Sequence, residues 1–337
     1  MGIKQTSTPV EVQRERSILA RFCPSLIAFG RSGQGGFYYN RFLQTGSKMD
    51  LESALSYYEK ALALRPLGHT KRHETLISLT VILRSRFERW GSAHDLQRAT
   101  LYDREANVIC PKGHPDYPRT LNSLSHTLSL VYRQSGGAHN LDEAVRHAQV
   151  ALSLCPVGSR YRGTCLDNLA VEFLTRYREK GQREDLDESI RHTREAVSIR
   201  GSRNLSRATS VNNLAIALQT RYDLAKDDGD LEELISLARE AILLRPVGRP
   251  RRALSLTTLA MGLECRAGSG DLEEAIACYR EALTLCPYGH RDHASCLSNL
   301  AGALKARYAQ TGQSGDLEEA KKYQRHAAAI KAMGPPV

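Results

Sequence analysis

Aromatic side chains are scarce in this chain of 337 residues, at 6% with a single Trp, and that scarcity argues against an all-β fold, where such residues concentrate. Long apolar runs are missing as well. No stretch approaches the roughly 18 residues that a membrane-spanning helix requires, and the best early run, Ser17 to Gly30, is interrupted by Arg21 and Pro24. A soluble, non-secreted protein is expected. No five like charges stand together, so neither an acidic nor a basic tail exists. No two cysteines are spaced Cys-x-x-Cys, which removes the commonest zinc signature. Catalytic spacings are lacking too. The segment Gly30-Arg31-Ser32-Gly33-Gln34-Gly35-Gly36 lacks the Gly-Lys-Ser/Thr ending of a phosphate loop, and no strand pattern precedes it. The pairs His69 with His73 and His290 with His293 come without a zincin pattern and read as loop histidines. The expectation is a non-enzyme with no cofactor, no metal and no small-molecule substrate.

What is present points to helices. The chain is 41% hydrophobic and 25% charged, normal for a packed core, and Leu and Ala recur throughout. A formal net charge of +10 attracts acidic partners at long range, but the basic residues are scattered over loops and helix ends. Eight cysteines without a secretion signal suit a reducing, cytoplasmic setting in which thiols pack as small apolar groups. Two pairs stand in register, Cys155 ten residues before Cys165 and Cys286 ten before Cys296, and their redox role is left open. The opening Met1-Gly2-Ile3-Lys4-Gln5-Thr6 fits the permissive pattern for myristoylation of Gly2.

Aligned on the dipeptide Asp-Leu, one motif recurs seven times, with its first residue at Asp50, Asp95, Asn140, Asp185, Asp230, Asp271 and Asp316. Five of the six intervals are 45 residues and the fifth is 41. Fixed spacing of this kind marks a solenoid, in which each unit buries its apolar face only against its neighbours. Each Asp or Asn reads as a helix N-cap, and Glu143, Glu188, Glu233, Glu274 and Glu319 complete capping boxes three residues on. Eleven residues after each cap stands an Ala, from Ala61 to Ala327, small enough for close helix approach. A Pro-x-Gly turn follows, as in Pro66 to Gly68. A second helical pattern then centres on Leu79, Leu124, Leu169, Leu214, Leu259 and Leu300. Eight residues beyond, Phe87, Tyr132, Tyr177, Tyr222 and Tyr308 belong to the buried stripe.

The order small residue, aromatic, Ala, Pro at Ala275, Tyr279, Ala282 and Pro287, with the Leu-Ala helix at Leu300-Ala301, resembles the tetratricopeptide repeat. That family uses about 34 residues per unit, so the present units imply longer turns. The Leu-x-Asn-Leu-Ala and Gly-His segments resemble the longer repeats of kinesin light chains, and the array as a whole is similar to that of fungal CHAT-domain proteins, where it precedes a caspase-like domain. The resemblance implies an all-α, right-handed α-solenoid over residues 36–333, with second helices starting at 50, 95, 140, 185, 230, 271 and 316. Six full helix pairs are expected, flanked by a degenerate, partly disordered entry over 1–35 and a terminal capping helix, with a disordered tail at 334–337.

In such an array the first helices line a concave wall. Residues one and two before the repeated Leu should face it, giving a polar ladder that includes Asn122, Asn168, Asn212, Asn213 and Asn299. Asn offers donors and an acceptor on one short side chain and can grip an extended peptide backbone. The kinesin-light-chain resemblance implies that role for Asn168, Asn213 and Asn299, with Asn122 one residue out of register. Arg84 and Lys305, five residues past the Leu, would tune charge preference. The expected function is a non-catalytic scaffold that binds a protein or peptide partner in its groove. Two alternatives stand beside it: a regulatory repeat fragment of a larger CHAT-type protease or signalling protein, and an RNA-binding helical array. Nucleic acid is disfavoured because no two-residue base-reading regularity accompanies the charge.

Overall fold

The computed structural model describes residues 24–333 apart from 203, 205 and 250, and among these it contains fourteen α-helices and no strand. They form seven antiparallel pairs: α1 Pro24–Thr45 with α2 Lys48–Ala63, α3 Arg72–Trp90 with α4 Ala93–Ile109, α5 Tyr117–Ser135 with α6 Ala138–Ser153, α7 Arg162–Lys180 with α8 Arg183–Ile199, α9 Arg207–Ala225 with α10 Asp228–Leu243, α11 Arg252–Arg266 with α12 Asp271–Leu285, and α13 His293–Thr311 with α14 Ser314–Met333. Each pair packs on the next, and the molecule is an all-α solenoid. Gly2 and the 334–337 tail lie outside the described residues.

The expected entry segment differs from the observed one. Residues 1–23 are not described, but Pro24 onward is a regular helix that passes through Gly30, Gly33, Gly35 and Gly36 and completes a seventh pair with α2. Gly35 has a packing reason, since a Cβ there would lie 2.6 Å from the Tyr58 ring of α2. No phosphate loop is formed at this segment. At the other end α14 is no lone cap but the partner of α13, although Lys321, Lys322, Gln324 and Arg325 are all exposed, as a terminal face requires.

The repeated Asp is a second correction. In all units but one the helix begins two residues earlier, and the N-cap is another residue: Ser47 and Ser92 each accept from the backbone N–H three positions on, and Asp227 accepts from that of Gly229. The repeated carboxylate is instead buried and takes a two-pronged ion pair from an Arg nine residues upstream on the partner helix. Arg176 with Asp185, Arg221 with Asp230 and Arg307 with Asp316 all close at 2.6–2.8 Å, and Arg41 holds Asp50 in the same way. Arg86 meets Asp95 at 3.1 Å. The one unit with Asn140 in place of Asp has Val131 in place of Arg, so both halves of the clamp are absent together. Of the Glu residues expected in capping boxes, Glu233, Glu274 and Glu319 pair between successive second helices, with Arg194, Arg239 and Arg280, while Glu188 pairs with Arg191 of its own helix.

The apolar pattern is placed as read. Ala61, Ala106, Ala151, Ala196, Ala241 and Ala282 are fully buried and Ala327 nearly so, while the six repeated Leu are 0–3% exposed. Phe87 and Tyr222 are buried; Tyr132, Tyr177 and Tyr308 are half-buried. The Pro-x-Gly turns close with a hydrogen bond from the residue after Gly to the Pro carbonyl, and Gly68, Gly158, Gly248 and Gly289 sit at φ 85–89°, which a side chain would strain.

Consecutive first helices approach one another from α3 through α11, and no two second helices come as near. First helices therefore line the inside of the curve. The curvature is strong enough that the turns opening the sixth and seventh pairs return to the ends of α1 and α3. Arg251 forks onto Glu88 at 2.7 and 2.8 Å, Arg249 donates to the Leu43 carbonyl at 3.3 Å, and the Arg291 N–H donates to the Arg89 carbonyl at 3.0 Å. The Arg291 guanidinium also lies 4.8 Å from the Phe87 ring centre. Arg251 adopts φ 67°, an unfavourable backbone for a residue with a Cβ, in making this seam.

Two outcomes follow from these contacts. Arg176→Val and Asp185→Asn should each destabilise by about 1–3 kcal/mol, while the double variant, which copies Val131 and Asn140, costs less than the sum. Urea melts in a double-mutant cycle check this, and additive losses would deny the coupling. Arg251→Glu should open the seam and raise the radius of gyration in small-angle scattering, with Glu88→Arg restoring it in the charge-swapped double variant. An unchanged scattering curve for Arg251→Glu would show that the seam does not hold in solution.

Candidate peptide-binding groove

Each first helix is covered by its own second helix on one side and by neighbouring pairs on the flanks, which leaves one stripe free. On α7 that stripe is Thr164, Asn168, Val171, Thr175 and Arg178, and on α9 it is Thr209, Asn213, Ile216, Thr220 and Asp223, all half-buried or exposed at helical spacing. On α3 it includes Ser78, Ser85 and Glu88, and on α5 His126 and Arg133. Exposed Leu254 and Met261 supply an apolar stretch on α11.

The position one before the repeated Leu lies on this stripe. Asn168, Asn213 and Asn299 are there, each half-buried, and Lys305 on α13 is exposed. The position two before is not. Asn122 and Asn212 are 7% and 1% exposed, turned between helices with unpaired amide atoms, and their register equivalent Asp167 accepts from Arg200 and Ser210 within the packed junction. A helical step of about 100° separates adjacent residues, enough to swing a short side chain from groove to interior. Arg84 is also turned inward. Its guanidinium donates to the Ser123 carbonyl at 2.8 Å and to Thr127 Oγ1 at 3.1 Å and lies 3.8 Å from the fully buried Asp103, so it joins α3, α4 and α5 rather than facing a ligand.

The charges that do face the groove were not singled out from sequence. Burial raises the Glu88 carboxyl, but the charge and hydrogen bond of Arg251 together with His126 and Arg84 outweigh it, and the group falls to about 2. Burial, then Arg84, Arg251 and Arg133, push His126 down to about 3, which keeps it neutral. Burial and the nearby Arg133 lower Arg178 as well. Arg133 and Arg178 form no ion pair among the described residues, so the middle of the groove has surplus positive charge. Their only signal in the sequence is an Arg nine residues past Leu124 and Leu169, legible once the inward stripe is known.

Elsewhere, His73, Cys110 and His114 place one donor atom each within 4.8 Å of one another. His114 is committed to its turn, its Nδ1 accepting from the Asp116 N–H at 3.0 Å, and His69 and His290 make the same bond in theirs. The cluster is accounted for by the turn.

Glu172 on α7 is fully buried, and burial pushes its carboxyl up to about 8, only partly opposed by Ser129 and Arg133. Its pKa is thus higher folded than unfolded, where it is about 4.3, so its contribution to stability is complete below that value and is lost as pH rises through about 8. Wild type should lose stability over this window and Glu172→Gln should lose less, by chemical denaturation at several pH values. Parallel profiles would contradict the assignment.

A family model described as Tetratricopeptide repeat matches residues 264–288, which span the end of α11 and the whole of α12. No curated protein matches the chain. Solved structures that are similar include a Podosopora anserina kinesin-light-chain-type array of nearly identical TPR-like repeats (20% identity, TM-score 0.46, covering 67% of this chain and all of that one). BtubC (BKLC) from P. vanneervenii is similar at 15% identity and TM-score 0.43, covering 78% of this chain and 90% of that one. MamA is similar at 16% and 0.39, covering 60% and 94%. Likeness at this level concerns the path of the chain and nothing it binds. With helix pairs repeated in register along the described residues, the chain is an all-α solenoid, and one of its second helices, α12, matches the tetratricopeptide-repeat model.

Proposed function

We propose that this protein is a non-catalytic interaction scaffold that holds an extended segment of a protein partner along its concave stripe. The observation that carries the reading is the row formed by Asn168, Asn213 and Asn299 on successive or near-successive first helices, half-buried and with no side-chain hydrogen bond of their own among the described residues. Their amides face the groove with donors and acceptors unspent, which suits the alternating polarity of a peptide backbone. Arg133 and Arg178 favour a segment with acidic side chains, and Leu254 with Met261 gives an apolar residue a place at the far side.

The solenoid supports this reading because helical arrays of the kind generally mediate protein–protein contact through the concave wall. The seam narrows the reading further. With Arg251 on Glu88, the groove is bounded on several sides, and a flexible strand enters it more readily than a folded surface does.

A peptide selected from a random library on the wild-type protein should bind the Asn168→Ala/Asn213→Ala variant at least about tenfold more weakly, a loss of about 1.4 kcal/mol. Circular dichroism should be unaltered, since neither amide supports the helices. Equal affinity for wild type and variant, by titration calorimetry, would remove the groove from the mechanism.

A further inference from the structure

At each junction between pairs, the residue preceding the Pro-x-Gly turn faces the residue ten positions later, on the next first helix. Three junctions fill the two places with Arg and a hydroxyl: Arg65 with Thr75, Arg200 with Ser210 and Arg245 with Ser255 at 2.5 Å. One has Cys110 and Thr120. The remaining two have cysteine at both places, Cys155 with Cys165 and Cys286 with Cys296. A thiol at one place does not require a thiol at the other, as Cys110 and Thr120 demonstrate. The doubled cysteine therefore needs its own reason.

We propose that Cys155 and Cys165 are a disulfide-forming pair, a modification site that covalently joins α6 to α7 across the turn, and that Cys286 and Cys296 are its second copy between α12 and α13. The first pair has its sulfurs 3.8 Å apart with both side chains buried, so side-chain rotation has less than about 2 Å to close to a bond near 2.05 Å. Cys155 also borders a recess of about 400 Å³, lined among others by Arg162, Phe173, Glu188, Arg191 and His192, which is large enough to admit hydrogen peroxide. In the second pair both side chains are buried at the same two places of the repeat, and Arg89, whose carbonyl takes the seam bond from Arg291, lies near Cys286.

The oxidant is a peroxide. The sulfur of Cys155, having released its proton, attacks one peroxide oxygen as thiolate; the O–O bond breaks, the departing hydroxide takes up that proton to leave as water, and Cys155 becomes a sulfenic acid. The sulfur of Cys165 then attacks that sulfur, the S–O bond breaks, and the departing hydroxide takes the Cys165 proton to leave as water. Two thiols are oxidised to one disulfide while one hydrogen peroxide is reduced to two waters. The bridge replaces a packing contact by a bond at two of the six junctions, and fixes there the angle on which the curvature of the groove depends.

The test uses the full chain, folded, treated with hydrogen peroxide, quenched, denatured and alkylated, then digested without reductant. The expected result is a cross-linked peptide pair containing Cys155 and Cys165, lighter by two hydrogens, and a second containing Cys286 and Cys296. Cys110, in the same place but opposite Thr120, should be alkylated in full. In Cys165→Ser the sulfenic acid at Cys155 should persist and be trapped by dimedone. Wild type carries the decision if that variant fails to fold, with circular dichroism confirming that helicity is retained during treatment. Complete alkylation of Cys155 and Cys165 after peroxide, or linkage of either to Cys110, Cys265 or Cys278, would overturn the pairing.

Discussion

The structure depends on the junction at which one helix pair hands over to the next. A single pair buries one face between its own helices and leaves the other bare, and only a neighbour covers it. What fixes the neighbour's angle is a group of long side chains at the turn. The Arg that opens α3, α7, α9 and α11 donates through one arm to carbonyls at the end of the preceding second helix, as Arg207 does to Val197 and Arg200, and through its Nε to a Glu on its own second helix, as Arg207 does to Glu240. Arg72 with Glu105, Arg162 with Glu195 and Arg252 with Glu281 repeat the arrangement. The carbonyls at a helix end are unsatisfied and partly negative, so a guanidinium there completes hydrogen bonds and meets the helix dipole at once. Where α5 opens with Tyr117 the Glu is replaced by Val150, and where α13 opens with His293 it is replaced by His326, whose ring lies 5.6 Å from that of His293. The two places change together because each is half of one contact.

Much of this architecture is readable in one dimension. A period of 45 residues, an unfailing Ala and a Pro-x-Gly turn are local facts, and they place the helices, the close contacts and the turns without reference to anything distant. The Asp-Leu marker located every second helix yet suggested the wrong role for its first residue, because Asp is favoured both at an N-cap and within the first helical turn. The distinguishing sign was an Arg nine residues upstream, which a search for caps does not look for. The groove was half legible for a related reason. One position before the Leu and two before it look alike in a list, but they lie on different sides of a helix, and only packing shows which is inward. Arg84 was misplaced because a long side chain can leave the side from which it starts. The seam had no local sign at all. Its partners lie some 160 to 200 residues apart, and whether they meet depends on the summed rotation of several junctions.

That summed rotation also ties the groove's electrostatics to the junctions. Arg251 reaches Glu88 only because the intervening pairs turn by the right total, and the pairing leaves Arg133, Arg178 and Asp223 as the charges within that have no ion pair among the described residues. A small change of angle at one junction is carried to every later pair, whereas a substitution on an exposed second-helix face moves nothing else. Residues far from the groove, at the turns, therefore have more influence on its shape than many residues that line it.

The unit of 41 residues shows which part of the pattern is under constraint. The four missing residues fall between Arg266 and Asp271, so the usual spacing of nine becomes five: α11 ends at Arg266 after 15 residues, against 19 in α9 and α13, and Ala267 takes at φ 53° the left-handed place that Lys226 takes at φ 52° in a unit of ordinary length. The clamp nevertheless forms, Nε to Oδ2 at 2.8 Å and Nη2 to Oδ1 at 2.7 Å, because α12 begins at Asp271 itself instead of two residues before it, and the Gly268 N–H adds a further bond to the carboxylate at 2.7 Å. If the period were what the fold required, this unit would be displaced from the stack. It is not displaced: Leu259, Ala275 and Ala282 occupy their usual buried places. The length of a first helix can change by a turn, then, while the charge pair in this unit keeps the two-pronged geometry it has in its neighbours. That is the expected order for a solenoid, in which each interface has to match its neighbour on both sides.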